Sequence, residues 1–350
     1  MRTVDWDYQN QSLLLIDQRL LPGELRVAAY SDYHEVINAI QEMVVRGAPA
    51  IGVTAAFALA LAAYRSSASH TTEMLRNLSI AGDELIAARP TAVNLKWAVA
   101  RVLAKAHEAP GDLDQLRKLV LEEALRMADE DVAINQRMAR HAAELIADGD
   151  TIIHHCNTGA LAAVDWGTAL GAIRMAHQQG KRIHVLVDET RPRLQGVRLT
   201  AWELQQYGIS FDIIPDNAAG YYLSSGQAHK VFFGADRVAA NGDVANKIGT
   251  YMLALAAQDN QVPVYCVAPT STIDLSTAMG TLIPIEERPP NEVLNIQVDG
   301  KSVAPTGCTA RNPAFDITPN RLISAIVTEK GVVYPPYPEN LARNIGLIES

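Results

Sequence analysis

Cysteine is scarce: Cys156, Cys266 and Cys308 are the only three in 350 residues, an odd number at wide spacing with no Cys-x-x-Cys. This excludes a disulfide scaffold and the usual zinc and dithiol-exchange motifs, and it fits a reducing cytoplasm. Positive charge is also short, with 30 Lys and Arg against 39 Asp and Glu and a net charge of -9. A large nucleic-acid footprint is therefore not expected, and an anionic substrate has to be met by local cations. None of the 22 glycines stands two positions from another, so the G-x-G-x-x-G dinucleotide fingerprint is missing. Gly300-Lys301-Ser302 imitates the end of a phosphate-binding P-loop, but the glycine required five positions earlier is Asn295. The most apolar run, Ile51 to Tyr64, falls short of the roughly 18 residues a membrane span needs and suggests a buried helix. The acidic, polar start MRTVDWDYQNQ lacks the basic and apolar stretches of a signal peptide, so neither membrane nor export is expected. His154 and His155 are adjacent in an expected strand and point to opposite faces, so no metal-ligand cluster is visible.

What is present is ordinary for a folded protein: 48% hydrophobic and 20% charged residues. A prior of roughly one domain per 150 residues gives two domains. Residues 1–147 read as a smaller, mainly helical domain with a short sheet. The apolar residues of this half recur at helical spacing, with loops near Ser66 to Ser69, Arg89-Pro90 and Pro110-Gly111. From residue 148 onward, short apolar runs alternate with helices: Thr151 to His155, Ile183 to Val187, Phe211 to Ile214, Val231 to Gly234 and Val262 to Ala268. That rhythm predicts βαβ units and a Rossmann-like parallel sheet over 148–350, an α/β fold overall.

A ligand of an open parallel sheet lies outside the carboxyl ends of its strands. Four of these ends are polar: Cys156-Asn157-Thr158-Gly159, Asp188-Glu189-Thr190-Arg191, Asp216-Asn217 and Asp236-Arg237. Wet loops are polar in any protein, but together these outline a cleft. Two expected helix starts carry an arginine, Arg46-Gly47-Ala48-Pro49 and Arg89-Pro90-Thr91. Helix N-termini attract anions, and arginine adds bidentate donors, so both are phosphate-site candidates; taken alone, an Arg-x-x-Pro better suits an ordinary loop arginine paired with a surface carboxylate. Cys156 precedes what reads as a turn into a helix, where a thiol gains thiolate character, whereas Cys266 lies inside a strand and reads as a small hydrophobe. Asp236 stands at a strand end, with Asn246-Lys247 at the expected start of an apolar helix. It suits an acid, a turn cap or a partner of Lys247.

Taken in order, Arg46-Gly47-Ala48-Pro49-Ala50-Ile51-Gly52, His155-Cys156-Asn157-Thr158-Gly159 and the run Asp188 to Gly196 resemble the methylthioribose-1-phosphate isomerase family. So do Gly234-Ala235-Asp236-Arg237, the run Asn241 to Tyr251 and the run Asn312 to Pro319, which extends the likeness over about residues 46–319. The resemblance implies that Cys156 and Asp236 are the catalytic pair. It implies that Arg46, Gly47, Ala48, Arg89, Gln195, Asn246 and Lys247 hold a sugar phosphate, in a homodimer that needs no cofactor and no metal. Regulatory subunits of the eukaryotic guanine-nucleotide exchange factor for translation initiation share the fold without isomerising anything. The intact His-Cys-Asn-Thr-Gly and Gly-Ala-Asp-Arg segments favour the isomerases. Another 1-phosphorylated pentose, such as 5-deoxyribose 1-phosphate or ribose 1,5-bisphosphate, is the alternative substrate.

Overall fold

The computed structural model describes residues 2–347 apart from Thr91 and Pro110. The Pro110 part of one expected loop and the Thr91 part of one expected helix start lie outside the described residues. The chain divides into two compact units, Met1–Arg137 with Thr158–Gly171, and Met138–Asn157 with Ala172–Ser350.

The first unit begins with an antiparallel sheet of β1 (Val4–Asp7), β2 (Ser12–Ile16) and β3 (Val27–Tyr30), in that order. The helices α1 (Tyr33–Gln41), α2 (Ala48–Arg65), α3 (Thr71–Ala88), α4 (Val93–Ala106) and α5 (Leu113–Ala143) follow. Because α2 is apolar on every side, it can only sit inside. Ala55 to Leu61 are all fully buried, and Phe57 stacks on Trp6 with ring centroids 5.7 Å apart. Among the described residues α2 alone is long and apolar enough to cross a membrane, yet 72% of its 18 residues are buried in the fold.

The second unit is built on a seven-stranded sheet. Its elements run β4 (Thr151–His154), α6 (Ala169–Gln178), β5 (His184–Asp188), a π-helical turn (Gly196–Thr200), α7 (Ala201–Tyr207), β6 (Ser210–Ile214), α8 (Ala219–Ser224) and β7 (Lys230–Phe233). Then come β8 (Arg237–Ala239), β9 (Val244–Lys247), α9 (Thr250–Asp259), β10 (Val264–Val267), β11 (Ile273–Asp274), α10 (Asn291–Leu294), β12 (Gln297–Val298) and β13 (Lys301–Ser302). The chain ends with β14 (Phe315–Thr318), β15 (Ala325–Thr328), β16 (Gly331–Val333) and α11 (Tyr337–Ile345).

The main sheet has the order β16-β15-β10-β7-β4-β5-β6 and is parallel except for β16. Its central strands are apolar runs buried on both faces, as a sheet covered by crossover helices requires. From β4 the chain builds outward through β5 and β6, then returns to lay β7 on the other side of β4. The order reverses there, and such a switch point is where open α/β sheets bind ligands. A smaller sheet, β11-β8-β9-β14, follows directly after β7. Gly300-Lys301-Ser302 lies in the β12–β13 hairpin, whose turn residues Asp299 and Gly300 both have positive φ (53° and 73°), as a two-residue hairpin loop favours.

Three local expectations need correction. No α-helix follows Cys156. Ala160–Ala162 make one 3₁₀ turn, and α6 begins only at Ala169, with Thr158 Oγ1 accepting the Leu170 N–H at 3.0 Å. The intervening chain folds back so closely that a Cβ on Gly167 would lie 2.2 Å from the carbonyl carbon of Gly159, a path no helix follows. Asn246 and Lys247 do not open a helix. They end β9, paired with β14, and α9 starts after Gly249, whose φ of 104° breaks the strand. Arg89 closes α3 instead of opening α4, because a residue before proline is pushed out of helical geometry; its φ and ψ are -145° and 78°.

Candidate active site

The carboxyl ends of β4 and β7 adjoin at the switch point, His154 pairing with Phe232 across the ladder. Cys156 lies two residues beyond the first, and Asp236 four beyond Phe232. The sequence candidates for the proton chemistry therefore stand on neighbouring strand ends. Cys156 is buried, forms no disulfide and has φ = 71°, a conformation rare for any residue but glycine. Its peptide is fixed on both sides. The Cys156 N–H donates to Thr190 Oγ1 at 2.9 Å, and Thr200 Oγ1 donates to the Cys156 carbonyl at 2.7 Å. Asn157, also buried, donates to Thr200 Oγ1 at 3.1 Å and to Glu203 Oε1 at 2.8 Å. Asp236 is partly buried, and its N–H donates to the Ala245 carbonyl at 2.9 Å, tying it to β9. Cys266 behaves as expected of a core residue: it is fully buried in β10, and burial pushes its thiol pKa far up.

Both histidines are fully buried but differ. His154 donates from Nδ1 to the Phe232 carbonyl at 3.0 Å, and burial lowers its pKa to about 3, so it is neutral. His155 meets an acceptor on each ring nitrogen, Asp188 Oδ2 at 2.8 Å and the Ile248 carbonyl at 3.0 Å. Burial alone would lower its pKa, but the Asp188 hydrogen bond and charge outweigh this and raise it above the ordinary histidine range. Burial in turn pushes the Asp188 carboxyl up to about 6, against the pull of His155. The His155 ring fills the space where a Cβ on Gly249 would stand, 2.9 Å from Cε1, which fixes glycine at the turn from β9 into α9. The carboxylate of Asp316 accepts the N–H groups of Gly249 and Tyr251 at 2.7 and 3.1 Å, capping α9 from a neighbouring strand. Burial raises Asp316 to about 6 even so.

The sequence showed no metal-ligand cluster, yet His155, Asp188 and Asp216 bring ligand-type atoms within 4.8 Å of one another. Most of the polar atoms of these three side chains are already engaged, although Asp188 Oδ1 is buried with no hydrogen-bond partner among the described residues. The ring holds Asp188 and Ile248, while Asp216 accepts the backbone N–H groups of Thr190 and Arg191 at 2.7 and 2.8 Å. The group works as a brace tying together the ends of β4, β5 and β6.

The expected binding residues fall in both units. In the second, Gln195 is buried at the start of the π-helical turn, and its Oε1 finds no hydrogen-bond donor among the described residues. Such an oxygen costs roughly 1–3 kcal/mol unless a ligand supplies a donor. Asn246 is buried and donates to Thr250 Oγ1 at 2.9 Å; Lys247 donates to the Ala314 carbonyl at 2.8 Å and lies 4.5 Å from the Phe315 ring centroid. In the first unit, Gly47 is the residue before α2. Its φ is 97°, and a Cβ there would meet the Ala162 carbonyl oxygen at 2.4 Å, so only glycine fits. Arg46 and Ala48 flank it, and all three are partly buried, as is Arg89 at the end of α3. Thr200 and Glu203 gave no sign in the sequence, since nothing within a few residues marks them. Thr190 and Asp216 were visible only as members of polar strand ends.

The chain matches the Initiation factor 2 subunit family over residues 44–335. A curated relative from Acetivibrio thermocellus named methylthioribose-1-phosphate isomerase is 51% identical, covering 96% of this chain and 98% of that protein. The crystal structure of 5-methylthioribose 1-phosphate isomerase from Pyrococcus horikoshii is 44% identical, with a TM-score of 0.91 and coverage of 99% and 96%. A structure titled translation initiation factor eIF-2B, subunit delta, from A. fulgidus is 40% identical, with a TM-score of 0.87 and coverage of 99% of both chains.

Proposed function

Because the chain belongs to the Initiation factor 2 subunit family, among the methylthioribose-1-phosphate isomerases, we propose that it converts 5-methylthioribose 1-phosphate into 5-methylthioribulose 1-phosphate. The observation that carries this reading is the placement of Cys156, buried and in no disulfide, and of Asp236 just beyond the adjoining carboxyl ends of β4 and β7. In an aldose 1-phosphate the anomeric oxygen is esterified, so the sugar cannot open to a free aldehyde. Opening requires a proton on the ring oxygen, and Asp236 is the donor. One hydrogen then leaves C2 and one arrives at C1; C2 is oxidised to the ketone as C1 is reduced. The redox change is internal, and no external oxidant or reductant enters the balance. Cys156 either takes the C2 proton as base or stabilises charge during a direct hydride shift. Arg46, Gly47, Ala48, Arg89, Gln195, Asn246 and Lys247 hold the sugar phosphate. The unsatisfied Gln195 Oε1 supports its place in that set.

The test is turnover by the purified protein of methylthioribose 1-phosphate, 5-deoxyribose 1-phosphate and ribose 1,5-bisphosphate, with the ketose product followed by NMR. Preferred turnover of the first substrate supports the reading, and preference for another reassigns the C5 pocket. Running the reaction in D₂O separates the routes, since a proton route places deuterium at C1 and a hydride shift does not. A protein that turns over none of the three but binds a sugar phosphate supports a regulatory role, a reading favoured by the likeness to the eIF-2B subunit. The reading places the enzyme in the cytoplasm as a homodimer. Three cysteines in no disulfide fit that compartment, and light scattering on the purified protein tests the dimer.

A further inference from the structure

The left-handed turn at Cys156 needs an explanation, because such strain persists only where surrounding structure over-determines it. Thr190, at φ = 59°, shares it, and for a β-branched residue that value is a true outlier. The two are joined by the bond from the Cys156 N–H to Thr190 Oγ1.

Each hydroxyl around the cysteine has its proton direction set by its partners. Thr190 Oγ1 accepts from Cys156, so its own hydrogen goes to the Asp188 carbonyl at 3.0 Å. Thr200 Oγ1 accepts from Asn157, so its hydrogen goes to the Cys156 carbonyl. Asn157 is fixed in turn by buried Glu203. Thr190, Thr200, Asn157 and Glu203 are all buried, which keeps bulk solvent from competing for these bonds. The backbone is shaped to deliver the hydroxyls. Thr200 is the last residue of the π-helical turn, a local distortion that recurs at functional sites. That turn abuts β5 at Gly196, where a Cβ would lie 1.7 Å from the Asp188 carbonyl oxygen. The loop bearing Thr190 is anchored by the Asp216 carboxylate.

We propose that Thr190 and Thr200 are positioning residues for Cys156: their two hydroxyls grip its N–H and carbonyl and hold the peptide in the left-handed turn that aims the thiol at the reacting carbons. The proposal rests on the reading that Cys156 acts in the isomerisation. Misplacing a reacting group by about 1 Å costs up to about 10²-fold in rate, while substrate contacts made elsewhere are unchanged.

The test compares Thr200→Val with Thr200→Ser in a Cys308→Ser background, where Cys266 has no exposed surface and Cys156, 8% exposed, is the thiol expected to alkylate. Thr200→Val is expected to lower kcat about 10- to 100-fold with KM within about threefold, and to change the pH dependence of Cys156 alkylation by iodoacetamide. Thr200→Ser keeps the hydroxyl and is expected to hold both within about threefold of the parent. Thr190→Ser, which keeps the bond at a strained position, is likewise expected to stay near the parent. A Thr200→Val protein with a parental melting temperature, kcat and alkylation profile overturns the proposal. So does a Thr200→Ser protein as impaired as Thr200→Val. If alkylation changes as expected while kcat does not, the grip on Cys156 stands and the catalytic reading of Cys156 fails.

Discussion

The helix α2 and the turn at Cys156 are two ways of building a protein interior. In α2 each residue repeats the geometry of the last, the buried side chains are mostly alanine, leucine, isoleucine, valine and phenylalanine, and stability comes from burying apolar surface. At Cys156 the backbone is strained, the neighbours are threonine, asparagine, histidine, aspartate and glutamate, and the order comes from hydrogen bonds spanning 33 to 46 positions of sequence. Substitutions in the apolar interior should change how much protein is folded. Substitutions at the rim of β4 and β7 should change what the folded protein does.

The sharpest way to break this contrast is at the reacting groups. Asp236→Asn and Cys156→Ser should each lower kcat by about 10²-fold or more while the protein still binds product ketose phosphate, since positioned acid–base help contributes about 10²- to 10⁴-fold. Steady-state kinetics with calorimetry checks this, and retention of a tenth of wild-type kcat in either variant would remove that residue from the chemistry. Gly196→Ala tests whether the rim also has a packing limit. A methyl 1.7 Å from the Asp188 carbonyl oxygen has to displace backbone, and a loss of at least about 3 kcal/mol in urea unfolding is expected. Arg46→Ala and Arg89→Ala bear on a third kind of position, neither core nor chemistry. A charge-assisted bond contributes roughly 1.5–3 kcal/mol, so each should weaken phosphate binding at least about tenfold with a smaller effect on kcat.

The smallest effect is expected in the helical unit, at Asp131 on α5. This carboxylate accepts the Val164 N–H at 2.8 Å and the Asn135 amide at 3.0 Å, and burial raises its pKa to about 7. Because the folded pKa lies above the unfolded 3.8, the folded state keeps a proton that the unfolded chain releases, and stability from this group falls as pH rises from about 4 to about 7. Asp131→Asn should therefore melt higher than wild type at pH 8, with the gap closing by pH 4. A constant gap across that range would show that Asp131 titrates normally.

The same contrast explains what the sequence disclosed. The burial of α2 and the parallel rhythm of β4, β5, β6, β7 and β10 were legible because periodicity is a local property. The polar strand ends were legible as places, since sheet geometry says where ligands go. Gln195 was reached only through family resemblance, and Thr200 not at all, because its partner lies 44 residues away and a lone threonine carries no spacing signal. The helix expected after Cys156 failed for a related reason. Gly159 and Gly167 look like ordinary turn residues, and only the fold shows their backbones in contact. Lys247 was misread because a strand ended by a glycine at positive φ gives the same apolar pattern as a helix start.

The division of the chain has a consequence for inheritance. The path passes from one unit to the other at 137/138, returns at 157/158 and leaves again at 171/172. A single recombination breakpoint therefore cannot exchange one unit for a foreign counterpart. A crossover at the foot of β4 would carry residues 158–171 away from the unit they complete, while a crossover after them would import a foreign β4 and Cys156. The cysteine turn and residues 158–171 thus belong to different units, and exchanging either unit whole takes more than one crossover.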